Sequence, residues 1–576
     1  MKHTLFLALF SLIATSFLDP EKPTKSYPQG YFQSPVAHSM RLGGTFGELR
    51  PHHFHSGIDI SPAPKQSYES LFAAAEGYVS RISIQAGGYG QALYITHPNG
   101  YTTLYGHMEK FITRIDTFVK RVQYEKEQFE QDIVLQPNEI PIQRGQQIGN
   151  MGNRGHSFGQ HLHFEIRETA TGNALNPLLF GFGVTDQEPP SIRGMKVYYF
   201  NEKKEVIGSK TVSLLKNGNG FSIVGDTLMT PSVFIGFSLK TYDKQDDKSG
   251  DNGIFSLTLR ENDMPIYNFK TEALAFSETR YINAHIDYDE LKHRGGYYHR
   301  TFKLIGNQLN MYEDIVNNGL ITIDNTTKKV NIKVTDAAGN ASNVDFYVKM
   351  QGDLIPIARK PYTYHLPYNE PSIVQVGGAK FVFQNGTFYE DAYVDFSTTT
   401  EGGTFGSYSP TYSLFDESPM HRSITIAIQP YNLPDTLKSK AFIAYCPRQD
   451  SRVYNCGGKW NAEGFLEARN TNFGRYCIMT DNTPPSIMPV SFQEDMSRKE
   501  KISFKIRDNY ETEGSAAGLS YRATVDNEWI LMEFDSKNDL LYHKFDGRIG
   551  SGTHTLKLAV TDNRGNARVF ERAFNL

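Results

Sequence analysis

Gly159-Gln160-His161-Leu162-His163-Phe164-Glu165-Ile166-Arg167 decides the reading of this chain. Strand alternation puts His161, His163 and Glu165 on one face and Leu162, Phe164 and Ile166 on the other. The apolar face can enter a core, while two imidazoles and a carboxylate point together from the opposite side. A buried polar face of that kind is costly unless its groups are paired or hold a metal. Further towards the N-terminus, His55-Ser56-Gly57-Ile58-Asp59-Ile60 reads as a loop entering a strand, because Gly57 and the β-branched flanks disfavour a helix. Asp59 then faces away from Ile58 and Ile60. A catalytic zinc takes three N/O protein ligands and keeps a fourth position open. His55, Asp59 and one histidine of the 161/163 pair can supply the three. The remaining histidine is placed to act as acid/base or as a donor to developing negative charge. His107, in Tyr105-Gly106-His107, follows another strand and can join it. Glu165 reads as support for an imidazole. His52 and His53 read as a solvated loop, and His97 before Pro98-Asn99-Gly100 as a turn residue.

Around these motifs the chain is strand-rich. Residues 30 to 182 hold nine of the 17 histidines. Short β-branched or aromatic runs at 78–84, 92–96, 101–105 and 161–167 are separated by Gly87-Gly88-Tyr89-Gly90 and Pro98-Asn99-Gly100. The more polar stretch 111–141, with a helical period over 118–126, reads as an insertion on the domain rim. Beyond it the sequence repeats itself. Pro189-Pro190-Ser191-Ile192 recurs as Pro484-Pro485-Ser486-Ile487, and Val334-Thr335-Asp336 through Asn340 recurs as Val560-Thr561-Asp562 through Asn566. Between them lie acidic, Gly-containing turns at 243–253 and 508–518. Strands at regular spacing with Asp/Gly/Asn turns predict immunoglobulin-like sandwiches. Asp243, Asp246, Asp247 and Asp251 offer oxygen ligands for calcium, but they depart from the helix-loop-helix calcium pattern and read as a solvated turn.

Composition bounds the function classes. The 576 residues, with 21% charged and 39% apolar or aromatic side chains, suit several folded domains and exclude global disorder. A net charge of -4 gives no electrostatic footprint for nucleic acid. The basic start Met1-Lys2-His3, the apolar run 4–18 and the small residues Ala14-Thr15-Ser16 predict a signal peptide over 1–18, with no transmembrane span after its removal. Cys446, Cys456 and Cys477 lack metal-type spacing. In an oxidising compartment, Cys446 and Cys456 could close a small loop, leaving Cys477 odd.

The motifs resemble those of the lysostaphin/LytM-type zinc endopeptidases, which cut peptide cross-links in bacterial cell walls. The likeness runs through Thr45-Phe46-Gly47, the segment 55–60, Ala74-Ala75-Glu76-Gly77-Tyr78-Val79, Gly88-Tyr89-Gly90, Thr103 to Met108, Gly145 to Gly149, Gly152 to Arg167 and Asn176-Pro177. It covers residues 40 to 180, a quarter of the chain. The resemblance implies His55, Asp59 and His163 as the ligands of one zinc ion per chain, and His107 and His161 as catalytic histidines. It also implies a small antiparallel β metallopeptidase domain with a groove over the metal. Gln160 stands where the family usually has proline, and the stretch after His107 is longer than in short members. Some relatives have lost ligands and act only as activators of other wall hydrolases, whereas here all five positions are filled.

The expected fold class is mainly β, a peptidase domain followed by about three β-sandwich domains. The boundaries expected are 1–18 for the signal peptide, 28–186 for the peptidase domain with its insertion at 111–141, 187–350 and 483–576 for the immunoglobulin-like sandwiches, and 351–482 for a further β-rich domain. The expected activity is that of an exported zinc endopeptidase acting on the stem peptides of peptidoglycan in the periplasm or cell envelope, with room for a protein partner on the C-terminal β-domains. The alternative is a non-enzymatic wall-binding regulator or activator that keeps the peptidase fold.

Overall fold

The computed structural model describes residues 23–218, 220–245, 250–352, 361–399, 407–447 and 452–576. The signal peptide expected over 1–18 lies outside the described residues, as do Asp246 and Asp247. The chain is mainly β, and no helix among the described residues is long and apolar enough to cross a membrane.

The first domain is built on an antiparallel sheet whose strands run in the order Leu42–Gly44, Ile58–Ile60, Leu162–Glu168, Tyr101–Gly106, Gln91–Thr96, Gly77–Ile84 and Gln131–Val134. The alternation of the central strand fixes what goes inside. Leu162, Phe164 and Ile166 are fully buried, together with Ile58 and Ile60 from the neighbouring strand. Register then brings distant motifs together. His163 lies opposite Asp59 on one side and opposite Gly106, next to His107, on the other. A core of this density tolerates little loss of volume. Phe164→Ala is expected to lower unfolding stability by about 3–5 kcal/mol in a denaturant titration.

The stretch 111–141 contains a helix, Thr113–Lys126, that starts five residues ahead of the predicted period because Ile115 joins Val119 and Gln123 on its buried side. It also supplies the edge strand Gln131–Val134, paired with Gly77–Ile84.

Three further units of paired sheets follow. The first has five- and seven-stranded sheets within 191–350, the second has seven- and five-stranded sheets from Tyr364 to Thr480 (the larger also taking the short strand Glu511–Thr512), and the last has two four-stranded sheets from Ser486 to Asn575. Phe46 and Phe54, from the first domain, are buried in the core of the first of these units. Ala174–Leu175 pairs with Ala273–Leu274 across the same junction. Glu272 accepts hydrogen bonds there from Thr24 N (2.7 Å) and Tyr27 Oη (2.8 Å). The last unit folds back, so that Leu531, Trp529 and Phe534 pack against the core of the first domain.

Cys446, Cys456 and Cys477 are buried and not joined by disulfides, which answers the pairing that the sequence left open. One expectation is corrected. Local acidic density suggested a solvated turn at 243–253, but Asp243 is buried and backbone-bridged to Asn252. Asp251 alone of the described pair stays at the surface, held by Arg193.

Candidate metal centre

Three donors converge, Asp59 and His163 from the paired strands Ile58–Ile60 and Leu162–Glu168 and His55 from the loop that leads into the first of them. His55 Nε2, Asp59 Oδ1 and His163 Nδ1 all lie within 4.8 Å of one another. His55 Nε2 and His163 Nδ1 are 2.9 Å apart, and each is within 3.1 Å of Asp59 Oδ1. All three side chains are buried.

The far nitrogen of each imidazole is engaged with an oxygen acceptor. His55 Nδ1 donates to the Thr45 carbonyl (2.8 Å), and His163 Nε2 donates to Glu165 Oε1 (2.8 Å). Those bonds fix the tautomers so that the two near nitrogens carry lone pairs aimed at one point, the orientation expected around a metal. Lone pairs 2.9 Å apart cannot share that space without a proton or a cation between them. The electrostatics say the same. Burial pushes His55 down to about 4. Burial also opposes charge on His163, but hydrogen bonds to Asp59 and Glu165 raise it to about 9. Burial would raise the Asp59 carboxyl, yet the surrounding histidines hold it well below the usual carboxylate range. The donor set therefore fits a divalent metal such as zinc, with one carboxylate and two imidazoles.

The other two histidines flank this group. His161 Nε2 lies 3.5 Å from Asp59 Oδ1, and its Nδ1 donates to the Gly159 carbonyl (2.9 Å). His107 stands in a left-handed backbone conformation at the end of Tyr101–Gly106, with φ of 59°. Its Nδ1 donates to the Arg154 carbonyl (2.7 Å), and its ring centroid is 4.8 Å from that of His161. Burial, reinforced by the charges of His163 and His161, lowers His107 to about 3. It is therefore neutral near pH 7, with Nε2 free to accept a proton.

Supporting residues surround the cluster. Glu165 is fully buried and accepts from Ser56 Oγ (2.7 Å), Tyr89 Oη (2.7 Å) and Arg167 Nε (2.6 Å) besides His163. Arg50 donates to Asp59 Oδ2 (2.6 Å), leaving Oδ1 turned towards the imidazoles. Sequence reasoning missed Arg50, Tyr89 and Arg167. Arg167 was findable, being the next same-face position after Glu165 on the strand. His97 opens the turn through Pro98-Asn99-Gly100, its carbonyl accepting from Gly100 N (3.3 Å). It is buried, hydrogen-bonded to the Glu76 carbonyl (2.6 Å) and Thr103 Oγ1 (2.9 Å), and stands apart from the cluster. His52 hydrogen-bonds Asn283, and His53 remains exposed.

The last β-unit reaches this site from outside. Arg154, whose carbonyl holds His107, sends its guanidinium to Glu533, to Tyr542 Oη (2.9 Å) and to Glu109 (3.1 Å). Lys537 donates to the carbonyls of Asn153 and Ser157. Trp529 meets Tyr124 edge-on, with centroids 5.1 Å apart. Burial would push Glu533 up, but Arg154 outweighs it and holds the carboxyl below its ordinary value. A depressed carboxylate stabilises docking above its undocked pKa, about 4.3, and that contribution is lost as pH falls through the docked value. Docking is thus expected to persist at about pH 5 and to fail only in more acid solution. Trp529 emission in a Trp460→Phe background reads the transition, and a midpoint above about pH 5 would contradict this assignment.

Residues 53–124 and 133–177 match Peptidase family M23, and residues 363–481 match a Zu5-like domain. The DD-carboxypeptidase/endopeptidase Mpg of Neisseria meningitidis serogroup B is 31% identical over 153 residues, 27% of this chain and 26% of that protein. The murein hydrolase activator NlpD of Escherichia coli K12 is 31% identical over 126 residues, 22% of this chain and 26% of that protein. The catalytic domain of lysostaphin from Staphylococcus simulans, at 19% identity and a TM-score of 0.18, aligns over 24% of this chain and 90% of its own. The chain spans about a quarter of the length of the curated relatives it matches.

Proposed function

From an N-terminal M23 (LytM/lysostaphin-type) peptidase domain followed by β-domains, we propose that this chain is an exported zinc endopeptidase that hydrolyses peptide cross-links of bacterial peptidoglycan. The observation that carries the reading is the convergence of His55 Nε2, Asp59 Oδ1 and His163 Nδ1 beside two further imidazoles. His55, Asp59 and His163 would hold one zinc ion, which supplies Lewis acidity towards the scissile carbonyl and acidifies water near pH 7. The rest of the chemistry belongs to the chain. His107, kept neutral by burial and with Nδ1 committed to Arg154, can take a proton at Nε2 and return it to the leaving amine. His161, with Nδ1 committed to Gly159, turns Nε2 towards the same centre and can stabilise developing negative charge on the substrate. Glu165, Ser56, Tyr89 and Arg167 hold His163 in one tautomer and orientation. The β-domains present the groove to the wall or to a protein partner in the periplasm or cell envelope.

The likeness to a murein hydrolase activator favours a second reading, in which the domain binds the wall or a hydrolase without cutting. Muropeptide analysis separates the two. The wild-type chain, incubated alone with isolated peptidoglycan, is expected to convert cross-linked dimers to monomers. Dimers left intact by the chain alone, with the chain accelerating a separately purified wall hydrolase on the same peptidoglycan, would support the activator instead.

A further inference from the structure

The units that carry the two sequence repeats each gather three carboxylates away from the histidine cluster. Asp186, Asp243 and Asp336 form one trio, and Asp481, Asp508 and Asp562 the other, each with one oxygen per residue lying within 4.8 Å of the others. The trios are built alike. Asp186 and Asp481 stand five residues ahead of Ser191 and Ser486, which open the first strand of their units. Those strands pair in the same register, Ser191 with Tyr242 and Ser486 with Arg507, and Asp243 and Asp508 are the next residues after these partners. Asp336 and Asp562 follow the strands Lys328–Thr335 and Thr553–Thr561. In both copies an asparagine ties the trio together. Asn340 Nδ2 donates to Asp186 O (3.1 Å) and Asp336 Oδ2 (2.7 Å), and Asn566 Nδ2 donates to Asp481 O (2.9 Å) and Asp562 Oδ2 (2.7 Å).

A separate observation points to a cation. Asp243 is 4% exposed and Asp481 1%, and Asp243 Oδ1 and Asp481 Oδ2 have no hydrogen-bond partner. The other oxygen of Asp481 accepts from Thr483 N (2.9 Å) and Asn509 Nδ2 (3.3 Å). A buried carboxylate oxygen without a partner, facing two more carboxylates, is strongly disfavoured unless protonated or bound to a metal. Burial and the neighbouring carboxylates raise Asp243 to about 8 and Asp508 to about 6. There is room for a hydrated ion at the first trio. Asp186 and Asp243, with Gln245 and Asn252, line a cavity of about 220 Å³ between the peptidase domain and the first β-unit.

We propose that the two trios are calcium sites, one at the segment entering each repeat-bearing unit. The donors are all oxygens and three are carboxylates, which suits a hard cation that completes six to eight ligands with water and backbone carbonyls. Each site joins the entering segment to the strand end and the hairpin, so bound calcium stiffens the junction between neighbouring domains. The second site is the weaker one, because the Lys440 ammonium lies close by, donating to Asn566 Oδ1 (2.6 Å), and repels a cation there.

The test is isothermal titration of the zinc-loaded full chain with calcium chloride, with thermal unfolding recorded alongside. Two calcium ions per chain are expected, with dissociation constants on the order of 10⁻⁴–10⁻³ M, and calcium should raise the melting temperature. Asp243→Asn and Asp481→Asn, which keep the side-chain shape, should each remove one ion and the double variant both, with hydrolysis by the zinc-loaded chain unchanged. No calcium uptake by the wild type would overturn the proposal. So would equal uptake of magnesium, or two ions still bound by the double variant. The wild-type titration stands even if a variant fails to fold.

Discussion

Alanine at His163 is expected to abolish both metal binding and hydrolysis. His163 supplies one of three converging donors, and its removal leaves only His55 Nε2 and Asp59 Oδ1 at the site. Two protein ligands are fewer than the three a catalytic zinc site uses. Metal analysis of the purified variant should find no zinc at the stoichiometry of the wild type. His161→Ala provides the contrast. His161 Nε2 is 3.5 Å from Asp59 Oδ1, at the flank of the donor set, and its ring is anchored by Gly159 rather than by the metal group. That variant should keep the zinc and lose roughly 10²–10⁴-fold in kcat, the range for a positioned acid/base group. Normal turnover by His161→Ala would refute the role assigned to it.

The second large effect falls on Glu165, which has no contact with substrate in this account. It accepts four hydrogen bonds, from Ser56, Tyr89, His163 and Arg167, in a fully buried position. Burial works against its charge, but Arg167 and then His163 hold it well below the usual carboxylate range. Glu165→Ala would leave the Arg167 guanidinium buried without its main counter-charge, and breaking such a pair typically costs about 3–5 kcal/mol. Denaturant unfolding reads that loss. Glu165→Gln keeps the shape and removes the charge that orients His163, so zinc affinity should fall roughly 10–100-fold in a chelator competition while the fold survives. Unchanged affinity in the glutamine variant would mean that the carboxylate acts on stability alone.

Period-two alternation carried much of the site into view. The polar face of His161, His163 and Glu165 and the apolar face of Leu162, Phe164 and Ile166 are local facts of one strand, and the structure shows both. The meeting of that strand with Asp59 and His107 is not local. It depends on antiparallel register between segments 50 to 100 residues apart, which residue spacing does not encode and the family resemblance supplied. Arg50 and Tyr89 were invisible for the same reason, as each reaches the site from its own loop or strand end. The repeats announced Asp336 and Asp562, and the turns that begin at Asp243 and Asp508, but not that these carboxylates meet. Asp186 and Asp481 lie three residues ahead of the repeated Pro-Pro-Ser-Ile and outside the repeat itself, and the acidic neighbours of Asp243 make it read as solvated. Charge density along a chain does not report burial, and the pairing of Ser191 with Tyr242 is what takes Asp243 inside. Nothing in the sequence foretold that Glu533, Lys537 and Trp529 return to the loop beside His107.

The most direct measurement is a reconstitution. The full chain from residue 19 onward is stripped with a chelator, reloaded with one equivalent of zinc and set on isolated peptidoglycan, and the products are read by mass spectrometry. The account predicts that cross-linked dimers become monomers only in the reloaded sample, with the mass of the monomers identifying the bond cut. Bound zinc at one per chain with the dimers untouched would contradict it.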